Sequence, residues 1–134
     1  MWASHSWSLI HCLSSKPNLK KQVLPRLRIG SGDEVAIGPG KAELLERVLR
    51  SGSISEAARQ MNMSYMRAWT LIRTMNRCFR KPVVVTTRGG RMGGGGAELT
   101  EIGQKVLTLY VRMNAECLSA IRSDWRQLQR LLRA

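Results

Sequence analysis

The chain has 134 residues, 43 % of them apolar, and carries 22 Lys and Arg against 9 Asp and Glu, a formal net charge of +13. That length suits one domain with a modest core. The charge favours a polyanionic partner, because neutralised phosphates release their counterions, over a merely solubilising surface or a ribosomal type of basic protein. Cys12, Cys78 and Cys117 are far apart and odd in number, and His5 and His11 both lie near the start, which argues against a disulfide framework or a metal site. Free thiols suit a reducing cytoplasm. No apolar run approaches the roughly 20 residues that span a bilayer, and Met1 to Leu13 lacks the basic start of a signal peptide.

Residues 1–22 mix Ser, His and Trp with Lys16-Pro17 and Lys20-Lys21 and show no sustained period. They read as a disordered leader, with a phosphate-touching basic arm as the sharper alternative. Leu27 and Ile29 alternate with Arg26 and Arg28, Gly30 to Asp33 supplies turn chemistry, and Val35 and Ile37 follow. One or two short strands fit this pattern.

Gly38-Pro39-Gly40 breaks the chain, and Lys41 to Arg50 then places Leu44, Leu45, Val48 and Leu49 on one helical stripe. Ser51-Gly52 ends that helix with an expected left-handed cap. Ser53 and Glu56 have the spacing of a capping box, in which hydroxyl and carboxylate each satisfy the other residue's free amide. The next helix starts at about Ile54 and gathers Ile54, Ala57, Ala58 and Met61 on one face; its alanines let another helix cross closely. Asn62-Met63 turns the chain and Ser64 caps a third helix running to about Phe79. At about 100° per residue, Ala68, Leu71, Ile72, Met75 and Phe79 face the core. Met66, Arg67, Thr70, Arg73, Thr74 and Arg77 point outward, with Tyr65 and Trp69 on the flank. Helix, tight turn and helix with a basic outer side is the layout that offers one helix to the DNA major groove. An ordinary solvated face is the plainer reading of that side alone.

Lys81-Pro82 stops the third helix, and Val83 to Thr87 is a β-branched run that predicts a strand. Arg88-Gly-Gly-Arg-Met-Gly-Gly-Gly-Gly96 follows, and Ala97 to Leu99 returns. Strand, loop and strand make a hairpin, here a wing. The glycines lack the Gly-Lys-Ser/Thr and strand-to-helix context of a nucleotide loop. Bare backbone between Arg88 and Arg91 suits the minor groove or the phosphate backbone. Thr100 caps a last helix, in which Ile102, Val106, Leu109, Tyr110, Met113, Cys117, Ile121, Trp125, Leu128, Leu131 and Leu132 recur at three- and four-residue steps. A single helix from Glu101 to about Leu132 would extend roughly 45 Å, so its far half needs a second copy to cover its stripe. A break near Ser119 or Ser123 with the tail folding back is the alternative. No Ser/His/Asp, Cys/His or clustered-carboxylate constellation suggests catalysis.

Gly52-Ser-Ile-Ser-Glu-Ala-Ala-Arg-Gln-Met61 resembles the winged helix-turn-helix of LysR-type regulators. Adding Ser64-Tyr65, Ala68-Trp69, Met75-Asn76, Arg88 to Thr100 and Gly103, the set resembles the N-terminal domain of the ModE type of molybdate-responsive transcription regulator, over about residues 24–120. The resemblance implies a dimeric winged-helix DNA reader with a long C-terminal dimerisation helix. It also implies groove contacts at Ser64, Tyr65 and Arg67 and at the wing from Arg88 to Gly96. Full-length members carry oxyanion-binding β-barrel domains after this region, for which a chain ending at Ala134 has no room. Molybdate therefore enters as an effector through the resemblance alone.

The expected fold is mainly α with a small β wing: a winged helix-turn-helix over residues 23–134, its dimerisation helix at about 100–132. The expected function is sequence-specific binding of double-stranded DNA as a homodimeric, cytoplasmic, nucleoid-associated transcription regulator without catalytic residue, metal or cofactor. A non-specific architectural DNA-binding protein is the alternative. Arg67, Thr70 and Arg73 would approach base edges or adjacent phosphates, and Ser64 and Tyr65 would anchor the helix start. Arg88 and Arg91 would hold the wing, with Ser53, Gly90, Gly93 and Gly94 completing the DNA-binding set.

Overall fold

The computed structural model describes residues 21–87 and 96–133. The leader assigned to residues 1–22 lies outside them but for Lys21 and Gln22, and so does the wing tip at 88–95. Among the described residues the chain forms five helices and two two-stranded antiparallel sheets. No described helix is long and apolar enough to cross a membrane.

Strands β1 (Ile29–Ser31) and β2 (Glu34–Ile37) form a hairpin turned at Gly32, whose φ of +61° is open to glycine at little cost. Pro39 then starts α1 (Pro39–Ser51), and Gly52 ends it in the left-handed conformation at φ +68°. Leu44, Leu45 and Val48 are fully buried, whereas Leu49, expected on the same stripe, is 41 % exposed. The inward arc of α1 is narrower than the apolar run because Glu43 and Glu46 share its buried side, paired with Arg47 and Arg50 one turn on.

Helix α2 (Ile54–Gln60) begins as expected, with Ser53 Oγ accepting from the Glu56 amide at 3.2 Å. The reciprocal half of the capping box is absent. The Ser53 amide donates to Ser51 Oγ at 3.2 Å, and the Glu56 carboxylate takes Arg59 and Gln60 instead. Ser51 sits closer in sequence and supplies the same acceptor, which frees Glu56 for its own helix face.

Helix α3 (Tyr65–Cys78) buries Ala68, Ile72 and Met75 completely, with Leu71 and Phe79 half-buried beside them. Strands β3 (Val84–Thr87) and β4 (Gly96–Leu99) pair in register, Val84 opposite Leu99 and Thr87 opposite Gly96. Ala97 donates to the Gly52 carbonyl at 2.9 Å, tying this hairpin to the end of α1.

The last stripe divides into α4 (Glu101–Ala120) and α5 (Arg122–Leu131) at Ile121, where φ is −92° and ψ is 2°. It is neither one straight helix nor a tail folded onto the core. Hydrogen bonds from the Ile121 amide to the Cys117 carbonyl and from the Trp125 amide to the Ile121 carbonyl continue across the bend, and α5 buries no residue. A β-branched residue flanked closely by Ser119 and Ser123 is a weak point for a helix, and past it no core contact enforces straightness. Helix α4 does reach the core, through Leu107, Tyr110 and Val111. Tyr110 donates to the Leu27 carbonyl at 2.8 Å, and burial raises its hydroxyl pKa.

Candidate nucleic-acid interface

The chain turns between α2 and α3 at Asn62, whose φ of +54° is a left-handed conformation that Asn tolerates better than most residues. The Met63 amide closes the turn on Ala58 O at 3.0 Å. Ser64 Oγ then accepts from the Arg67 amide at 3.0 Å, which starts α3 with an extended residue and sets its direction.

That start delivers one side of α3 to solvent. Tyr65 is 47 % and Met66 70 % exposed, and Arg67, Thr70 and Arg73 are exposed beside them. Tyr65 rests edge-on against Trp69, ring centroids 6.3 Å apart at 85°, so its hydroxyl end is presented by a packed ring. Thr70 donates its hydroxyl proton to Met66 O at 2.9 Å, leaving the oxygen lone pairs as acceptors. Neither Arg67 nor Arg73 has an ion pair or a side-chain hydrogen bond among the described residues. Two free guanidiniums and a hydroxyl on one exposed side are suited to phosphates and to the acceptor edges of bases.

Arg77 departs from the expected pattern. It lies on the outward side, yet its Nη2 sits 2.7 Å from Glu34 Oε1 on β2. This bond holds the Glu34 carboxyl below the usual carboxylate range, against the opposing effect of burial. Arg77 thus fastens the first hairpin to the end of α3, and that hairpin becomes a neighbour of the exposed face. Ser53 is half-buried at the head of α2 and its oxygen is engaged in the cap; Ser64 is exposed at the head of α3.

Of the expected wing contacts, Arg88, Gly90, Arg91, Gly93 and Gly94 lie outside the described residues. The wing's base is described, and two residues position it. Asn76 Oδ1 accepts from the amides of Val83 at 2.8 Å and Val84 at 3.3 Å, while Nδ2 donates to Val84 O at 3.2 Å. Thr100 Oγ1 donates to Pro82 O at 2.6 Å and accepts from the Gly103 amide at 3.0 Å. The wing therefore leaves the body clamped between the end of α3 and the start of α4. The positioning role of Asn76 escaped the sequence reading. The available signal was an amide side chain in the last turn before Lys81-Pro82, able to donate and accept at once.

Residues 40–104 match the family model of the bacterial regulatory helix-turn-helix protein, lysR family. The chain is 37 % identical over 98 residues to the molybdenum transport protein ModE of Azotobacter vinelandii, a stretch covering 73 % of this chain and 36 % of that one. It is 40 % identical over 79 residues to the molybdenum-pterin-binding protein MopB of Rhodobacter capsulatus, covering 59 % and 29 %. It is 42 % identical over 72 residues to the DNA-binding transcriptional dual regulator ModE of Escherichia coli K12, covering 54 % and 27 %. The chain thus spans about a third of the length of these curated relatives.

Proposed function

We propose, from the premise that residues 40–104 are a helix-turn-helix of the lysR family of bacterial regulators, that this chain is a sequence-specific DNA-binding transcription regulator of the ModE type. The carrying observation is the exposed side of α3, where Arg67 and Arg73 stand unpaired among the described residues while Ala68, Ile72 and Met75 are buried behind them. A helix anchored in this way can lie in the major groove with Arg67, Thr70 and Arg73 toward bases and flanking phosphates, and Ser53, Ser64 and Tyr65 near the backbone. The wing at 88–96, on a hairpin base held by Asn76 and Thr100, is assigned in this reading to the neighbouring backbone or minor groove.

Residues 23–134 act as one DNA-binding unit, with 100–132 as its dimerisation segment. Leu109 and Met113 are each 41 % exposed and Leu128 and Leu131 are exposed beyond the bend, so a second copy is the natural cover for this stripe. Two copies give the two-fold symmetry that a palindromic site requires. Such a regulator works in the cytoplasm on the nucleoid. Molybdate is the effector we propose for it, a reading in keeping with relatives whose names refer to molybdenum.

A competition titration tests the reading. The preferred duplex should outcompete random duplex by about a thousandfold or more. Equal competition would instead mark a non-specific architectural protein. The same titration with and without molybdate tests the effector.

A further inference from the structure

A cleft of about 470 Å³ opens between the first hairpin, the start of α1 and the flank of α3. Three cations from separate parts of the chain line it: Arg28, just before β1, Lys41 in the first turn of α1, and Arg67 in the first turn of α3. The Arg28 stem passes Gly38, where an added Cβ would stand 3.7 Å from Arg28 Cγ. Lys41 Nζ donates to the Val35 carbonyl, which pins the ammonium at the cleft wall. Burial lowers the pKa of Lys41, and the like charges of Arg28 and Arg67 act in the same direction against the pull of Cys78 and Glu34. The carboxylate lining the cleft is Glu34, and it is already held by Arg77. Neither Arg28 nor Arg67 has a carboxylate partner among the described residues.

We propose that this cleft clamps one backbone phosphate of the duplex whose groove receives α3, with Arg28 and Lys41 closing on it beside Arg67. The inference rests on the DNA-reading role of α3 and adds a contact that the helix-turn-helix pattern does not contain. Arg67 belongs to both surfaces, since it is exposed on the outward side of α3 and also borders the cleft. A phosphate strand flanking the groove occupied by α3 passes the same first turn, because each base pair brings two phosphates along the groove walls. Three converging cations with one neutralised carboxylate suit a single anionic group.

The test is the salt dependence of binding by Arg28→Gln/Lys41→Gln, measured on the preferred duplex and on random duplex. The clamp predicts weaker binding to both by the same factor, and a slope of log affinity against log salt that is smaller by about 0.9, the loss of one phosphate contact. A scan of neutral methylphosphonates through the preferred duplex should find one position that weakens the wild type and leaves the double variant unchanged. Arg28→Gln alone is the second variant, since Arg28 is exposed and removing its charge leaves the Lys41 bond intact. An unchanged slope in both variants would overturn the clamp, and so would weakening confined to the preferred duplex. If inorganic phosphate shifts the Lys41 amide resonance while the DNA salt slope stays unchanged, the cleft takes a free anion and the clamp is refuted. Failure of the parent reading looks different: the wild type would not distinguish preferred from random duplex at all, whatever the variants did.

Discussion

Asn76 Oδ1 lies 2.8 Å from the Val83 amide nitrogen, and this bond joins the recognition helix to the strand that carries the wing. The same side chain also serves both backbone groups of Val84. Separating α3 from the start of β3 would therefore leave these polar groups unmatched. Asn76→Ala should cost about 1–3 kcal/mol, the penalty for leaving such groups unpaired, and lower the thermal midpoint by several degrees. Asn76→Asp keeps the acceptor for both amides and should lose less. Equal midpoints for Asn76→Ala and wild type would show that the bond carries no stability.

Gly103 meets the same junction from the other side. A Cβ there would stand 2.0 Å from Val83 O, and backbone cannot yield as a flexible side chain does. Gly103→Ala should force α4 and β3 apart and cost about 1–3 kcal/mol or more. A variant that melts like the wild type would contradict the close approach.

The helix caps make a finer distinction. Ser53→Ala removes the acceptor for the Glu56 amide and should cost about 1 kcal/mol. Ser51→Ala should also destabilise the α1–α2 corner, because Ser51 Oγ accepts from the Ser53 amide and donates to Arg47 O. Urea unfolding of the two serine variants and of Glu56→Gln checks the assignment. A Ser51→Ala variant as stable as the wild type would contradict the assignment of the Ser53 amide to Ser51.

Glu56 also sets a pH dependence. Hydrogen bonds from Arg59 and Gln60 lower its carboxyl from 4.5 to about 2. A group whose folded pKa is depressed contributes stability above its unfolded pKa and loses it as pH falls toward the folded value. The contribution of Glu56 should therefore be constant at neutral pH and fade between about 4.5 and 2. A carboxyl-carbon NMR titration reads this directly, and an ordinary midpoint near 4.5 would contradict the pairing.

Self-association is predicted to depend on the outer stripe of α4 and α5. Leu128→Asp/Leu131→Asp should sediment as a monomer with unchanged thermal midpoint at low concentration, since α5 buries nothing in the single chain. Persistence of the wild-type sedimentation coefficient would place the dimer contact elsewhere.

Much of this was legible because local signals agreed. Ser53, Ser64 and Thr100 are small polar residues directly before periodic apolar runs, and each caps the helix it announces. The β-branched run after Pro82 and the short return at Ala97 pair as a hairpin. What escaped involves partners distant in the chain. Arg77 and Glu34 are 43 residues apart, and no period links them. Arg28 and Lys41 lie 13 residues apart on different segments, and only the folded hairpin brings both to the flank of α3. The helix parts at Ile121, between the Ser119 and Ser123 of the alternative reading, but without the folded-back tail that went with it, because hydrophobic period records which side faces a partner and is silent on the direction of a bend.

Selection of bound duplexes from a random pool, run with wild type and with Arg67→Ala, tests the central claim most directly. The wild type should recover a two-fold-symmetric motif, and the variant should lose preference at the bases that Arg67 faces, a change of roughly 1–3 kcal/mol if the contact is bidentate to guanine. A pool that shows no enrichment with the wild type, or an identical motif and affinity with the variant, would contradict the assignment of this helix face to DNA.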